Sequence, residues 1–328
     1  MIIVKGLMMT VTLLGLAFLL IDSGLAITAQ LMQAPFVVQV PRDFAKIQAA
    51  INAVAEGGMV FIAPGVYRET LYIDKSVRLI GARRDQVQLV GEHQDQEAII
   101  KVVSYDRPIQ IFFGWFTVGD PQSVQVSSRT GIYFNGLVQA TLSNLAIYTE
   151  ARGIYAMSNK AHLIVSEVNM MNNEIGLLLG EGHVVVQDSI IQENQIGILT
   201  LYAQGNLTLT HNILLKNRSA AVMARQGVDP LYTSIVDNQF LGNGNGIYWG
   251  ADTQGSMIII SRNLFVENMN YGVAILTQGC ALDDPFVKLL AIQSLPAVLI
   301  AGESNQFRSN GKGDLCPADY PWPPGFRK

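Results

Sequence analysis

The sequence predicts an all-β chain wound as a right-handed parallel β-helix, a solenoid of about ten coils carrying an N-terminal helical cap. Two columns of recurring residues predict it. A small residue followed by an apolar one opens successive segments at Gly131-Ile132, Gly153-Ile154, Gly176-Leu177, Gly197-Ile198, Ala220-Ala221, Gly246-Ile247 and Gly272-Val273, at spacings of 22, 23, 21, 23, 26 and 26 residues. Asn pairs five residues apart recur at Asn212 and Asn217, Asn238 and Asn243, Asn263 and Asn268, and Asn305 and Asn310, with Asn173 and Asn194 extending the second column. Such a period is too short for paired helices and fits one turn of three short strands.

Residues 1–26 read as a signal peptide. Lys5 precedes an apolar run from Gly6 to Ile21, and Gly24-Leu25-Ala26 supplies small residues for cleavage. The competing reading is a membrane anchor, since the run approaches spanning length. Residues 27–40 form a linker, and 41–328 one elongated β-helix domain. Within it, residues 43–56 carry apolar residues at helical spacing up to Gly57-Gly58, a helix that would cover the first coil. In each following segment, runs such as Val184-Val185-Val186 and Ile258-Ile259-Ile260 mark strands buried on at least one face. Asn suits the corners because it tolerates the left-handed backbone region, and stacked amides can bond from coil to coil.

Between Gln278 and Pro296 one loop lengthens, and Asp284-Pro285 opens what reads as a short capped helix. At the far end, residues 311–328 hold a Pro-rich and aromatic run that cannot continue a sheet and should lie across the last coil. The chain has two cysteines, Cys280 and Cys316, both near that end. An exported chain could bridge them, and two unpaired thiols are the alternative.

The net charge of −4 is unchanged by removal of residues 1–26, which leaves 21 basic and 25 acidic side chains. With no basic stripe the counterion-release contribution to nucleic-acid affinity has little to draw on, so nucleic acid is not an expected partner. No membrane span is expected after signal cleavage. The expected location is secreted, periplasmic or at the cell surface.

Three segments resemble the opening of pectin-lyase-like β-helix proteins, pectinesterases included: Phe44-Ala45-Lys46-Ile47-Gln48-Ala49-Ala50-Ile51, Val60-Phe61-Ile62-Ala63-Pro64-Gly65-Val66-Tyr67-Arg68-Glu69, and Val77-Arg78-Leu79-Ile80-Gly81. The Gly-Ile and Asn repeats are similar to those of carbohydrate-binding and sugar-hydrolase β-helix modules. The resemblance spans most of residues 40–310 and implies the fold; its catalytic motifs do not carry over. The nearest string to the Gln-Asp-Thr-Leu motif of pectinesterases is Gln187-Asp188-Ser189-Ile190, and nothing matches Asp-Phe-Ile-Phe-Gly. The corners where polygalacturonases hold an Asp pair carry Glu174-Ile175, Gln195-Ile196, Arg218-Ser219, Gly244-Asn245 and Asn270-Tyr271. The Asp-Pro-His-Asp string of mannuronan epimerases is reduced to Asp229-Pro230-Leu231 and Asp284-Pro285-Phe286, and no Asp-rich calcium cluster of the pectate lyase kind stands out.

Two columns could still carry chemistry. Glu167, Asp188, His211, Asp237 and Arg262 precede the same turn in five consecutive coils, about 5 Å apart. Unlike ionisable groups so placed can serve general acid-base catalysis; a column of alternating charge also stabilises stacked strands. A metal would need Asp188, His211 and Asp237 to converge; no metal or cofactor is expected, and His93, His162 and His183 have no evident ligand companions. The second column is aromatic: Tyr133, Tyr155 and Tyr248 repeat one position, with Tyr202 and Trp249 nearby. Outward rings could stack on sugars, or simply cover neighbouring strands. Two functions follow: a binding or structural β-helix presenting a strand face to a polysaccharide or envelope partner, or a polysaccharide lyase, glycoside hydrolase or epimerase with a non-standard site.

Overall fold

The computed structural model describes residues 34–92, 97–122, 130–158, 160–201, 205–225, 232–250, 257–275, 280 and 299–328. Among them every named strand pairing is parallel, and the chain winds as a right-handed β-helix. Three stacks of strands form its sides. The first holds the Gly-Ile strands, such as Asn173–Leu179, Ile196–Thr200 and Ile247–Gly250. Next in each coil comes an open stack, with His162–Ser166, Gly182–Gln187 and Gly205–Thr210. A third stack of short strands follows, including Ile190–Gln192, Ile213–Leu215 and Gln239–Leu241. Strands Ala98–Gly114 and Thr130–Ser143 run through the corner between the first two stacks, which therefore form one 19-stranded sheet beside a 10-stranded sheet.

Alternation along each strand sends one set of side chains inward. In Gly182–Gln187 the buried residues are Gly182, Val184 and Val186, with His183, Val185 and Gln187 facing out. Inside the third stack Phe240, Phe265 and Phe307 lie ring on ring at 4.6 and 4.9 Å. The glycine column exists because backbones approach closely there. A Cβ on Gly153, Gly176 or Gly197 would come within 2.5, 2.6 and 2.4 Å of a carbonyl oxygen in the next coil. Register corrects one repeat: Ile198 pairs with Val222 and Val222 with Ile247, so Ala221, not Ala220, stands in that column.

The Asn columns are two buried ladders flanking the third stack, bonded from coil to coil as the sequence indicates, although the ladder Asn do not themselves take the left-handed turn. The left-handed backbone falls on the residue before each Asn: φ is 55° at His211, 57° at Asp237 and 53° at Arg262 on one corner, and 55° at Glu193 and 53° at Lys216 on the other. That turn aims the following Asn inward. Asn243 is fully buried; its Oδ1 accepts from the backbone N–H and Nδ2 of Asn217, both at 2.9 Å, while its Nδ2 donates to Leu214 O and to Asn268 Oδ1. The rungs run from Asn173 through Asn194, Asn217, Asn243 and Asn268 to Asn310, and from Asn212 through Asn238 and Asn263 to Asn305. Every amide donor and acceptor along these interior rungs is used, which is what burial requires.

Both ends are closed. The helix spans Ile47–Ala53, shorter than 43–56, because Asp43 turns back to accept the Gln39 N–H and Val54 is already extended. It packs Ile47, Ala50 and Ile51 inward. The buried Glu69 carboxylate, from the following coil, accepts the N–H groups of Ile47 and Gln48 at 2.8 and 3.0 Å and satisfies the helix start. At the other end the chain returns as a substitute coil. Phe326 O accepts from Asn305 N and Nδ2, Asp314 accepts from Asn310 Nδ2, and Arg327 pairs with Asp314 at 2.7 Å. Phe326 is buried against Phe307 and Trp322.

Replacing Asn243 by Ala removes rungs on both sides and strands buried donors on Asn217. The expected cost is about 3 kcal/mol in denaturant unfolding. A loss below about 1 kcal/mol would show that the ladder contributes little.

Candidate functional site

The outward residues of the open stack line a trough of about 670 Å³ crossing five coils. Its floor is two rows in strict register. One runs Arg78, Phe112, Thr141, Ile164 and Val185; the other runs Gln110, Gln139, His162 and His183, and continues into Asn206 and Tyr232. Amides, hydroxyls, imidazoles and the Arg78 guanidinium share the lining with Ile111, Phe112, Leu163, Ile164 and Val185, and no lining residue is a carboxylate. The Arg78 guanidinium sits 5.4 Å from the Phe112 ring centre, and the His162 and His183 rings stack at 4.7 Å with 31° between planes. Burial holds the His183 pKa below the ordinary histidine value, and the neighbouring His162 adds to the effect.

The structure lines up the charged column but does not aim it into this trough. Glu167, Asp188, His211, Asp237 and Arg262 each take the left-handed conformation at the corner between the open and third stacks. Glu167, Asp188, His211 and Arg262 are exposed and Asp237 is half-buried. Arg262 grips Asp237 through two bonds of 2.8 and 2.7 Å, holding that carboxyl below its usual range. His211 Nδ1 lies 3.2 Å from Thr210 Oγ1, and Asn144 Nδ2 reaches Glu167 at 3.5 Å. Asp188, His211 and Asp237 do not converge, and no cluster of three His, Cys, Asp or Glu fit for a metal occurs among the described residues.

The aromatic column lies on the Gly-Ile stack, away from both. Tyr133 and Tyr155 are paired neighbours with ring centres 5.4 Å apart, and register carries the row through Leu178, Leu199 and Met223 to Tyr248. Lys101 covers the Tyr133 ring at 5.5 Å and Arg152 the Tyr155 ring at 5.6 Å. Tyr248 is fully buried and its hydroxyl donates to Cys280 O, while Trp249 points into the core. Neither Tyr248 nor Trp249 offers a ring to a sugar. Tyr202 lies outside the described residues, as do His93, the signal segment and, apart from Cys280, the predicted insertion between Gln278 and Pro296. Cys280 and Cys316 form a disulfide, buried in an apolar cluster with Met223, Tyr248 and Ala274.

Sequence reading passed over the trough because its polar residues belong to no motif. One signal was present: His162 and His183 are 21 residues apart, the same interval that separates Gly176 from Gly197. Residues one coil apart must meet.

The fold defines a parallel β-helix protein with one elongated open face. The family model of the periplasmic copper-binding protein NosD matches residues 116–281, half of the chain, and the chain belongs to that family. Among solved structures it is similar to a Dettilon tailspike protein, with a TM-score of 0.51 and 14% identity over 84% of this chain and 62% of the tailspike. The chain thus spans less than two thirds of that tailspike's length. Pectate lyase Pel9A is similar with a TM-score of 0.51 and 14% identity, over 89% of this chain and 82% of the lyase. At such identities the likeness shows the fold. A search of functionally curated proteins finds no sequence match.

Reducing the Cys280–Cys316 bond should lower stability by about 2–4 kcal/mol, read as a lower melting temperature in reductant. An unchanged melting temperature with both thiols titratable would refute a stabilising role.

Proposed function

We propose that the chain is an exported β-helix protein of binding type, which lays a polysaccharide or other cell-envelope glycan along the trough of its open stack. The carrying observation is the composition and shape of that face: four coils contributing Gln, Thr and His, with Arg78 on a fifth, beside the Phe112 ring in a recess of about 670 Å³. Amide and hydroxyl groups exchange hydrogen bonds with sugar hydroxyls, and an aromatic ring covers the apolar face of a pyranose. Stacked coils hold these groups on rigid strands, so little ordering opposes binding. Tyr133 is buried and Tyr155 is half-buried beneath Arg152, so the aromatic column adds no second contact.

A hydrolytic or lyase reading built on the charged column has less support. Glu167, Asp188, His211 and Arg262 stand exposed at the corner outside the trough, and the half-buried Asp237 is already bound by Arg262. The family's description names copper. Among the described residues the His162 and His183 imidazoles have no third donor of the His, Cys, Asp or Glu type, and both cysteines are bridged. The described residues do not fit a copper site, and the binding scheme passes through no metal.

Retention of the full chain on a glycan array tests the proposal. The double variant Gln139→Ala and His162→Ala should lose about tenfold or more in affinity, about 1.4 kcal/mol, with an unchanged melting temperature. Asp188→Asn with His211→Ala should leave retention as it was. The reverse pattern, or turnover of a glycan that disappears in the second variant, would overturn the binding reading in favour of an enzyme.

A further inference from the structure

The glycan reading leaves the chemical class of the polymer open, and the charge pattern of the trough narrows it. Resting on that reading, we infer that the trough selects an acidic polymer lying along the solenoid axis, with Arg78 and the stacked His162–His183 pair as its anion seats.

The lining holds one permanent cation, Arg78, two imidazoles and no carboxylate. Charged groups around it are accounted for. Glu56, near the Arg78 end, is paired with Arg107 at 2.9 Å and accepts the Ser76 N–H. Lys160 and Glu181 stand on the turns leading into the strands of His162 and His183. The strands packed on either side of the pair contribute neutral groups to the face: Gln139 and Thr141 on one side, Asn206 and Thr208 on the other.

Register sets the spacing of the seats. Arg78 is three coils from the strand of His162 and four from that of His183, so the seats are about 14 and 19 Å away at about 4.8 Å per coil. One small anion cannot reach both. A chain with a negative charge on successive or alternate units can, and it would follow the floor from coil to coil.

The pair also makes binding depend on pH. In the free protein two rings at 4.7 Å repel each other when both are charged, and burial disfavours a charged His183, so without an anion the doubly charged pair is disfavoured. An anion seated against the outward edges of the two rings offsets both effects and draws a proton onto the pair. Binding therefore takes up protons, and affinity rises as pH falls, by up to about tenfold per pH unit for each proton taken up. Arg78 stays charged throughout and supplies the part that does not vary.

The experiment compares alginate, whose carboxylates remain ionised, with neutral dextran, measured by titration calorimetry on the full chain at about pH 5.5 and about pH 7.5. Expected is alginate binding about tenfold or more tighter at the lower pH, with proton uptake seen as a dependence of the heat on buffer ionisation. His183→Gln should flatten the pH dependence, whereas Arg78→Gln should weaken binding at both pH values and keep the slope. Equal alginate affinity at both pH values, or dextran held as tightly as alginate, overturns the acidic-polymer inference while the glycan reading stands. Failure to bind these polymers and every glycan on the array removes both.

Discussion

Each interior Asn amide of the two ladders is held by the coil before it and by the coil after it, and the remaining geometry is referred to that bond pattern. A side chain with two donors and a two-lone-pair acceptor can be satisfied by identical neighbours above and below only when the coils are in strict register. One misplaced coil would bury unpaired amides on both ladders. The ladders thus fix the third stack, and through the continuous chain they fix the rows on the other two sides. Their ends need replacements for the missing neighbours, supplied by Phe326 O and the Asp314 carboxylate.

The same turns explain the charged edge. Bending the chain sharply while pointing an Asn inward places the preceding residue at positive φ, where its side chain leaves the corner toward solvent. Polar and charged residues fill such positions because they are wet, and stacking then sets Glu167, Asp188, His211, Asp237 and Arg262 above one another. The column is a by-product of the corner. The open stack differs because its outward residues lie on a broad strand surface between two corners, where polar groups from five coils can address one long ligand together.

Legibility followed the strength of the steric demand. Gly153, Gly176 and Gly197 meet a carbonyl oxygen too closely for any side chain, and Asn217 and Asn243 occupy places where only an amide closes the bonding, so both columns stood out in the sequence. Ala220-Ala221 was read one residue off because two small residues in succession satisfy the same pattern, and only strand register separates them. Tyr248 and Trp249 follow one another in a strand and must face opposite ways, yet both are covered: one by the core, the other by the disulfide-bearing cluster outside the Gly-Ile stack. Alternation decides which way a side chain points; what lies over it depends on distant chain.

By itself the sequence determined the coil, its handed parallel winding, the glycine and asparagine columns and the pairing partners one period apart, since these are local demands of backbone geometry repeated at a fixed interval. Only the tertiary structure decided which outward face is open, that the stacked His162 and His183 share one trough with Arg78, and that the aromatic column is largely covered. Exposure is a property of the whole surface. It arises from how caps, corners and the Cys280–Cys316 bridge close over the stacks, and no interval between residues encodes it.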